Sequence, residues 1–298
     1  MVSSTTNNKL ILVDGHSVLH RAYHAFPKSL STSEGELTNA VYGFTRGLLS
    51  VLGKFGPQWI AVCFDTAGPT FRHEEYKPYK EHRPEMEEEL KVQLDRVHQV
   101  VETFDFPTFE MEGYEADDLI GTLCLQAEKK DQISEIVVVT DDRDLLQLVN
   151  EKIKVYLARR DEVWDKDKVR KEYGFEPKKI VDYKALRGDP SDNIPGVRGV
   201  GPQRAKDLLA NFSSLEDIYQ HLEEVDPKIS KLLTASEDNA RVSKRLADVL
   251  RNLPIELDLE KCRTSTLDRE ELKSLFMELE FNSLLKKLPE KNPQMPLL

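Results

Sequence analysis

The sequence predicts an α/β domain, with a mostly parallel sheet and helices on both faces, followed by a helical domain. Residues 9–156 alternate short apolar runs with amphipathic helical stretches, and this alternation is typical of βαβ units. From about residue 165 the strand pattern ends, and short helices with tight connections follow. We therefore expect one domain over residues 1–170, a helical domain over residues 171–290 and a tail over residues 291–298.

Each predicted strand is a short apolar run rich in β-branched residues, and each predicted helix repeats apolar residues every three or four positions. In chain order, the strands are KLILVD, QWIAVCFD, FPTFEM, SEIVVVTD and KIKVYL. The helices between them are HSVLHRAYH, NAVYGFTRGLLSVL, MEEELKVQLDRVHQVVETF and ADDLIGTLCLQAEKK. In the second domain, helices are predicted at KVRKEYGF, PKKIVDYKALRG, PQRAKDLLANF, SLEDIYQHLEE and EDNARVSKRLADVL.

The composition is that of a globular protein, since 39% of the 298 residues are hydrophobic and 32% are charged. No apolar run approaches the roughly 20 residues that span a bilayer, and the first residues lack the pattern of a signal peptide. The three cysteines lie far apart, which indicates reduced thiols in a cytoplasmic protein. The net charge of −11 weighs against nucleic acid as a partner unless positive charge is supplied locally.

Acidic residues follow four of the predicted strands. Parallel strands place their carboxyl ends at one edge of a sheet, where ligands bind, so these carboxylates should lie together. Converging carboxylates repel one another, and a divalent cation removes that repulsion. Oxygen ligands favour Mg²⁺ or Mn²⁺ over Zn²⁺, and two such ions are the usual apparatus for phosphodiester hydrolysis. The residues are Asp14, Asp65, Glu115, Asp117, Asp118, Asp142 and Asp144.

The acidic segment GYEADD also has a plainer interpretation as a helix start, because carboxylates are favoured at the positive end of the helix dipole. Asp is common at turns and helix N-termini in general. Glu115 and Asp118 lie about 60° apart on one helix face, which we expect to point toward the first two strand ends. Asp117 would point further round, toward a second ion. Asp141 adds one more acid, to which the sequence assigns no role.

The segment GDPSDNIPGVRGVGPQRAKDLL carries two further features. Asp189 and Asp192 add two acids with i, i+3 spacing. The glycine turn GVRGVG then precedes a helix that begins near Pro202, with Arg204 and Lys206 in its first turns. Free N–H groups at such a helix start bind phosphate, whereas a plain corner between helices would use glycine only for positive φ. Beside a metal–carboxylate site, phosphate binding is the favoured interpretation.

Five separated motifs follow one another along the chain: VDG, FD, GYEADD, TxDxD and GDxSDNxPGVxGxG. Together they resemble the 5′-nuclease family, to which flap endonucleases belong, and more narrowly the 5′→3′ exonuclease domain at the N-terminus of bacterial DNA polymerase I. The resemblance covers about residues 9–288. It implies a PIN-like α/β domain followed by a helical domain with a helix–three-turn–helix module.

The resemblance also implies two divalent ions, Mg²⁺ or Mn²⁺, held by carboxylates. The ligands of the more catalytic ion would be Asp14, Asp65, Glu115, Asp117 and Asp118. The ligands of the second ion or its water shell would be Asp142, Asp144, Asp189 and Asp192. The glycine turn would bind the duplex backbone, in part through a monovalent cation such as K⁺. The residues implied there are Gly196, Gly199, Val200, Gly201, Arg204 and Lys206.

The connection over residues 66–85 has no strand pattern and only a weak helical one, and long connections inside compact domains are often functional. Its cations alternate with aromatic residues, a pattern that suits single-stranded nucleic acid. Glutamates nearly cancel the charge, so a solvated loop is the alternative. The resemblance implies a helical arch or clamp that grips the 5′ strand. Its candidate residues are Arg72, Tyr76, Lys80 and Arg83, of which Arg72 and Lys80 are also candidate catalytic residues.

The sequence thus predicts a structure-selective 5′→3′ exonuclease and flap endonuclease that hydrolyses phosphodiesters of DNA and RNA primers by two-metal-ion catalysis in replication and repair. Its expected partners are DNA with a junction of duplex and 5′ single strand, and a polymerase, as a further domain or in trans. We expect a cytoplasmic, nucleoid-associated monomer that does not bind membranes. The alternatives are a PIN-type ribonuclease acting on single-stranded RNA and a non-catalytic protein that binds branched DNA.

Overall fold

The computed structural model describes residues 8–288, and its centre is a six-stranded sheet. The strands are β1 Lys9–Asp14, β2 Trp59–Cys63, β3 Thr108–Phe109, β4 Glu135–Thr140, β5 Ile153–Leu157 and β6 Glu162–Trp164. Their order is β3-β2-β1-β4-β5-β6. The first five run parallel, and β6 pairs antiparallel with β5 at one edge. The mostly parallel sheet is confirmed, and β6 is a strand that the sequence did not predict.

Helices surround the sheet in the described part of the chain. None of these helices has the length and hydropathy of a membrane span. The predicted helices are present, except that MEEELKVQLDRVHQVVETF forms two short ones, α4 and α5. The helices are α1 Gly15–Ala25, α2 Asn39–Phe55, α3 Phe71–Glu75, α4 Glu88–Lys91, α5 Leu94–Thr103, α6 Ala116–Glu128, α7 Lys166–Tyr173, α8 Ile180–Arg187, α9 Pro202–Asn211, α10 Leu215–Gln220, α11 Pro227–Ala235, α12 Glu237–Ala247, α13 Arg269–Glu278 and α14 Asn282–Leu285.

Helices cover both faces of the sheet because the central strands are apolar on both sides, as parallel strands usually are. Leu10 and Leu12 of β1 face the layer that contains α6. Ile11 and Val13 face the layer of α1, α2 and α5. All four side chains are fully buried. Two apolar cores therefore lie on opposite faces, and the prediction of helices on both faces is confirmed.

The chain after α12 returns from the helical part to the sheet. Residues 248–264 run along α6, where they bond to the Gln126 side chain, and Ile60 N of β2 donates to Cys262 O (2.8 Å). Helix α13 then packs beside α5. The last part of the predicted helical domain thus covers a face of the sheet. The boundary at residue 170 falls within α7 and stays a prediction, and the predicted tail lies outside the described residues.

Helix α6 touches the returning segment so closely that Gly121 has no room for a side chain. A Cβ atom there would lie 2.5 Å from Val249 Cγ1 and 2.7 Å from the Leu250 carbonyl oxygen. Gly53 offers a matched control, because it also lies within a helix, α2, and a Cβ there would meet nothing within 4 Å.

We predict that Gly121→Ala lowers the free energy of unfolding by about 1–3 kcal/mol, because the added methyl group forces backbone and side chain apart. Gly53→Ala should raise it by about 0.5–1 kcal/mol, since alanine favours the helix. Urea unfolding followed by circular dichroism measures both effects. Equal stabilisation by the two substitutions would contradict the close contact.

Candidate active site

The carboxyl ends of β1 and β2 place Asp14 and Asp65 at one edge of the sheet. Asp14 caps α1: its Oδ1 accepts from Ser17 N (3.0 Å), and its Oδ2 accepts from Thr140 Oγ1 at the end of β4 (2.7 Å). Asp65 Oδ1 accepts from Ala116 N (2.7 Å). Both side chains therefore lie beside other strand ends or the acidic start of α6.

Four carboxylates at this edge form no ion pair with a lysine or arginine within residues 8–288, and we call them the unpaired acids. Burial, with repulsion from Asp65 and Asp142, raises the pKa of Asp14 to about 7. Burial also raises the pKa of Asp117 well above its usual value, with further repulsion from Asp142 and Asp14. The unpaired acids are Asp14, Asp65, Asp117 and Asp142.

Five further carboxylates each contact a cation, and we call them the paired acids. Lys80 Nζ lies 2.7 Å from Glu115 Oε1, and Arg83 Nη2 lies 2.5 Å from Asp192 Oδ1. Burial would raise the pKa of Glu115, but Lys80 and Arg72 outweigh it and hold that pKa below its usual value. The paired acids are Glu115, Asp118, Asp144, Asp189 and Asp192.

Lys184 of α8 is a site residue that the sequence did not single out. It contacts Asp144 and Asp189 together, which joins the end of β4 to the segment after α8. Burial lowers the pKa of Lys184, but the neighbouring carboxylates outweigh burial and raise it. No sequence pattern pointed to this contact, because Asp144 lies on a distant element of the chain.

Asp118 and Arg72 form a buried ion pair. Arg72 Nη1 and Nη2 donate to Asp118 Oδ2 (2.7 Å) and Oδ1 (2.8 Å). The same carboxylate accepts from Glu115 N (3.2 Å) and Leu250 N (2.9 Å). A carboxylate offers about four lone-pair sites, so these four bonds use its accepting capacity. Asp118 is 0% exposed and Arg72 is 2% exposed.

Two predictions are therefore wrong for this structure. Asp118 does not share with Glu115 a face that points toward the strand ends, because its carboxylate is taken up by Arg72; Asp117 faces the other acids instead. Arg72 does not grip a DNA strand, because its guanidinium is buried and bound by the protein itself. We accordingly remove Asp118 from the candidate metal ligands and Arg72 from the candidate strand-binding and catalytic residues.

Asp141, whose role the sequence left open, belongs to the packing beside the site. Its Oδ1 accepts from Arg159 N (2.6 Å), and its N donates to Ser17 Oγ (2.8 Å). Arg21 Nε lies 3.8 Å from its Oδ2. These contacts fasten the ends of β4 and β5 to α1, so the additional acid has a local structural role.

The connection over residues 66–85 lies against the helical part of the chain. Tyr79 is 3% exposed, and its hydroxyl donates to Glu115 Oε2 (3.2 Å). Lys80 has a φ of 53°, in the left-handed region that non-glycine residues rarely adopt, and its N donates to Asp192 O (2.9 Å). These contacts hold the connection beside the acids. The strand-binding candidates that remain are Tyr76, Lys80 and Arg83.

Positive φ angles explain two glycines of the turn between α8 and α9. Gly196 has a φ of 62°, and a Cβ there would lie 2.2 Å from Gly188 N, so only glycine fits. Gly199 has a φ of 90°. Helix α9 begins after Gly201 without a side-chain cap, which leaves its first N–H groups available to a ligand.

The side chains around the glycine turn offer less than the sequence suggested. Val200 is 2% exposed, so it can contact a ligand only through its backbone. Arg204 Nη1 donates to Gly199 O (2.6 Å), and Lys206 Nζ donates to Glu172 O (2.8 Å). Both cations are therefore partly engaged within the protein.

Within residues 8–288, no three His, Cys, Asp or Glu side chains stand close enough together to hold a metal ion as they are placed. The unpaired acids nevertheless suit a hard divalent cation, because all their donor atoms are oxygens. Burial and mutual repulsion raise the pKa values of Asp14 and Asp117, and a bound divalent cation would relieve that repulsion. The metal ligands other than Asp118 stay a prediction.

Two family models match most of the chain. The model described as 5'-3' exonuclease, N-terminal resolvase-like domain, matches residues 9–174. The model described as 5'-3' exonuclease, C-terminal SAM fold, matches residues 175–270. The chain belongs to the 5′-3′ exonuclease family. The resemblance of its motifs to this family is thereby confirmed.

Similar proteins include DNA polymerase I of several bacteria and a shorter 5'-3' exonuclease. The chain is 41% identical to DNA polymerase I of Caldicellulosiruptor bescii over 286 residues, which cover 94% of this chain and 33% of that one. It is 39% identical to the 5'-3' exonuclease of Aquifex aeolicus over 280 residues, which cover 94% of both chains. The chain thus spans about a third of the length of the DNA polymerase I relatives.

Solved structures of the same fold confirm the predicted architecture. A bacteriophage T5 flap endonuclease, determined with DNA and metal ions, matches with a TM-score of 0.68 at 20% identity and covers 92% of this chain and 98% of its own. The catalytic core of Rad2 with a DNA substrate matches with a TM-score of 0.61 at 18% identity, covering 95% and 92%. The 5′-3′ exonuclease fold here is therefore a PIN-like α/β domain followed by a helical domain.

We predict opposite effects of neutralising two adjacent acids of α6 in metal-free buffer. Asp117→Asn should raise the melting temperature, because it removes repulsion among the unpaired acids. Asp118→Asn should lower the free energy of unfolding by about 3–5 kcal/mol, because it leaves the buried Arg72 uncompensated. Thermal unfolding in EDTA measures both. Destabilisation by Asp117→Asn equal to that by Asp118→Asn would contradict the division into paired and unpaired acids.

We also predict a pH dependence that comes from Asp14. Its pKa of about 7 in the folded state lies above the unfolded value, so the folded state binds this proton more tightly. The stability that the protonated group contributes is therefore lost as pH rises from about 4 to about 7, by at most about 1.4 kcal/mol per pH unit. Asp14→Asn should remove this loss in metal-free unfolding experiments. Parallel pH profiles of the two proteins would refute the assignment.

Proposed function

We propose that this member of the 5′-3′ exonuclease family is a structure-selective 5′→3′ exonuclease and flap endonuclease that cleaves phosphodiesters of DNA and RNA primers in replication and repair. The observation that carries the proposal is the cluster of unpaired acids at the carboxyl edge of the sheet. A fold gains no stability from such a cluster by itself. It becomes favourable when cations, and then phosphates, are bound there.

The donor chemistry supports two divalent ions, Mg²⁺ or Mn²⁺. Asp14, Asp65, Glu115 and Asp117 would hold the first, and Asp142 would belong to the second. The second would be held by acids that now contact Lys184 and Arg83, namely Asp144, Asp189 and Asp192. When bound, such ions supply an activated water and stabilise the leaving oxygen.

The residues beside the acids would orient the scissile phosphate. Lys80 and Arg83 lie on the connection that passes the acids, and their side chains are 20% and 47% exposed. Each holds a carboxylate on one side and remains open to solvent on the other. A phosphate that approaches the unpaired acids would therefore meet positive charge at its non-bridging oxygens. Tyr76 is the candidate for contacts with a base of the 5′ strand.

The helical part carries local positive charge, although the net charge of the chain is negative. Arg187, Arg198 and Arg204 are exposed and form no ion pair with an acid within residues 8–288. They flank the glycine turn, whose helix start offers free N–H groups. This surface supports binding of the duplex backbone. Backbone carbonyls of the turn would hold a monovalent cation such as K⁺ between protein and phosphate.

The proposed substrate is DNA with a junction between duplex and 5′ single strand. A polymerase would act with the enzyme, either as a further domain, as in the DNA polymerase I relatives, or in trans. We propose that the chain acts as a monomer.

We predict that Asp117→Ala lowers Mg²⁺-dependent cleavage of a 5′-labelled flap duplex by at least about 100-fold, since several kcal/mol of transition-state stabilisation depend on the ions. Binding of the same DNA, measured by fluorescence anisotropy without divalent metal, should persist. Asp131→Ala, on an exposed turn, is the matched control and should cleave normally.

Full activity of Asp117→Ala would refute the site. Preferential cleavage of free single-stranded RNA by the wild-type protein would favour the PIN-type ribonuclease. Tight binding of branched DNA without any cleavage would favour a non-catalytic binding protein.

A further inference from the structure

Helix α12 is fastened at its middle and at its carboxyl end to two parts of the site that lie far apart along the chain. Its middle meets the glycine turn through Ser243, and its carboxyl end meets the acidic start of α6 through Arg72. Both side chains are buried, with exposures of 0% for Ser243 and 2% for Arg72. Both are almost completely shielded from solvent, so neither is placed to bind DNA itself.

The contact at the carboxyl end of α12 is made by the guanidinium of Arg72. Arg72 Nε donates to Leu246 O (2.9 Å), and Nη2 donates to Asp248 O (2.8 Å). The remaining N–H groups reach Asp118, in two bonds, and Glu115 Oε2 at 3.3 Å. Arginine has five N–H donors in a rigid fork, and four of them form hydrogen bonds here. The end of α12 therefore has a fixed position relative to the first turn of α6.

The contact with the glycine turn has little freedom to move. Gly196 N donates to Ser243 Oγ (2.9 Å), and the α-carbon of Gly196 packs so tightly on Gly188 that a Cβ would lie 2.2 Å from Gly188 N. Helix α12 also packs along α8, the helix that precedes the turn. A displacement of α12 would therefore displace the turn.

We propose that α12 acts as a strut, with Ser243 and Arg72 as positioning residues that set the separation between the duplex-binding turn and the acids of α6. This proposal rests on the proposed function and adds to it the determinant of the cleavage position. The turn fixes where the duplex backbone lies, and the acids fix where a phosphodiester is cut. Their separation selects which phosphodiester along the strand enters the acidic site.

Loosening the strut changes the position of the cut before it stops cleavage. The direct link from Lys80 N to Asp192 O (2.9 Å) remains when either positioning residue is replaced, so the two parts stay joined. Adjacent phosphodiesters then reach the acids in turn. A merely structural role would lower stability and rate while leaving the cleavage position unchanged.

The test is the length distribution of products from a 5′-labelled flap duplex, resolved to single nucleotides under single-turnover conditions. Ser243→Ala removes the bond to the turn, and Arg72→Lys keeps one positive charge but only three donors. We expect one main product for the wild type and two or more adjacent products for each variant. The rate should fall roughly 10- to 100-fold, as misplacement of about 1 Å can cause.

Thr45→Val is the matched control. Thr45 is also 0% exposed, and its Oγ1 donates to Val41 O (2.7 Å) within α2, on the opposite face of the sheet. Its loss removes a buried hydroxyl without touching the strut, so the product should remain the wild-type one. If Arg72→Lys does not fold, Ser243→Ala decides the question. A single wild-type product from Ser243→Ala would overturn the proposal.

A distance measurement tests whether α12 sets this separation even if the wild type does not cleave flap DNA. Absence of cleavage by the wild type would refute only the proposed function. Spin labels on Gln203→Cys and Glu112→Cys, both exposed sites, report the separation of α9 from the start of α6; the native cysteines are buried. Ser243→Ala should broaden this distance distribution, and Thr45→Val should not. An unchanged distribution, or a broadened one with an unchanged product, would overturn the proposal.

Discussion

The ion pair between Arg72 and Asp118 is the interaction on which the rest of the site depends. Two buried charges cost several kcal/mol of desolvation unless geometry and further hydrogen bonds compensate them. Here both groups are well compensated: the guanidinium donates four hydrogen bonds and lies 3.3 Å from Glu115, and the carboxylate accepts four bonds. The pair joins the connection over residues 66–85, the first turn of α6 and the segment after α12. One contact thus holds three distant parts of the chain together.

This pair also explains how adjacent acids in one short segment take different roles. Asp118 is neutralised by Arg72 and has no free oxygen lone pair. Glu115 is shared between Lys80, Tyr79 and Arg72. Asp117 forms no ion pair with a lysine or arginine among residues 8–288, and its pKa rises because it is buried near Asp142 and Asp14. Repulsion among the acids at the start of α6 is therefore reduced in two ways. Arg72 and Lys80 compensate Asp118 and Glu115, whereas the charge of Asp117 would be compensated by a bound metal ion.

The sequence was sufficient to predict the five parallel strands, the helices on both faces and the position of the acids at one edge, because apolar periodicity and strand ends are local properties. It also gave the family, through five motifs in order. It could not give the pairing of the acids. Helical geometry alone put Glu115 and Asp118 on one face, but the partner of Asp118 comes from a segment with no periodic pattern. The interleaved cations and aromatics of that segment suggested DNA contacts, yet Arg72 and Tyr79 are buried by α12, which no sequence pattern linked to them.

The most direct test of this account is a crystal structure of the protein soaked with Mn²⁺, with the ions located by anomalous scattering. We expect manganese among Asp14, Asp65, Asp117 and Asp142, while Asp118 remains bonded to Arg72. Manganese coordinated by Asp118, with Arg72 displaced from it, would contradict the division between acids that hold the fold and acids that hold the metal.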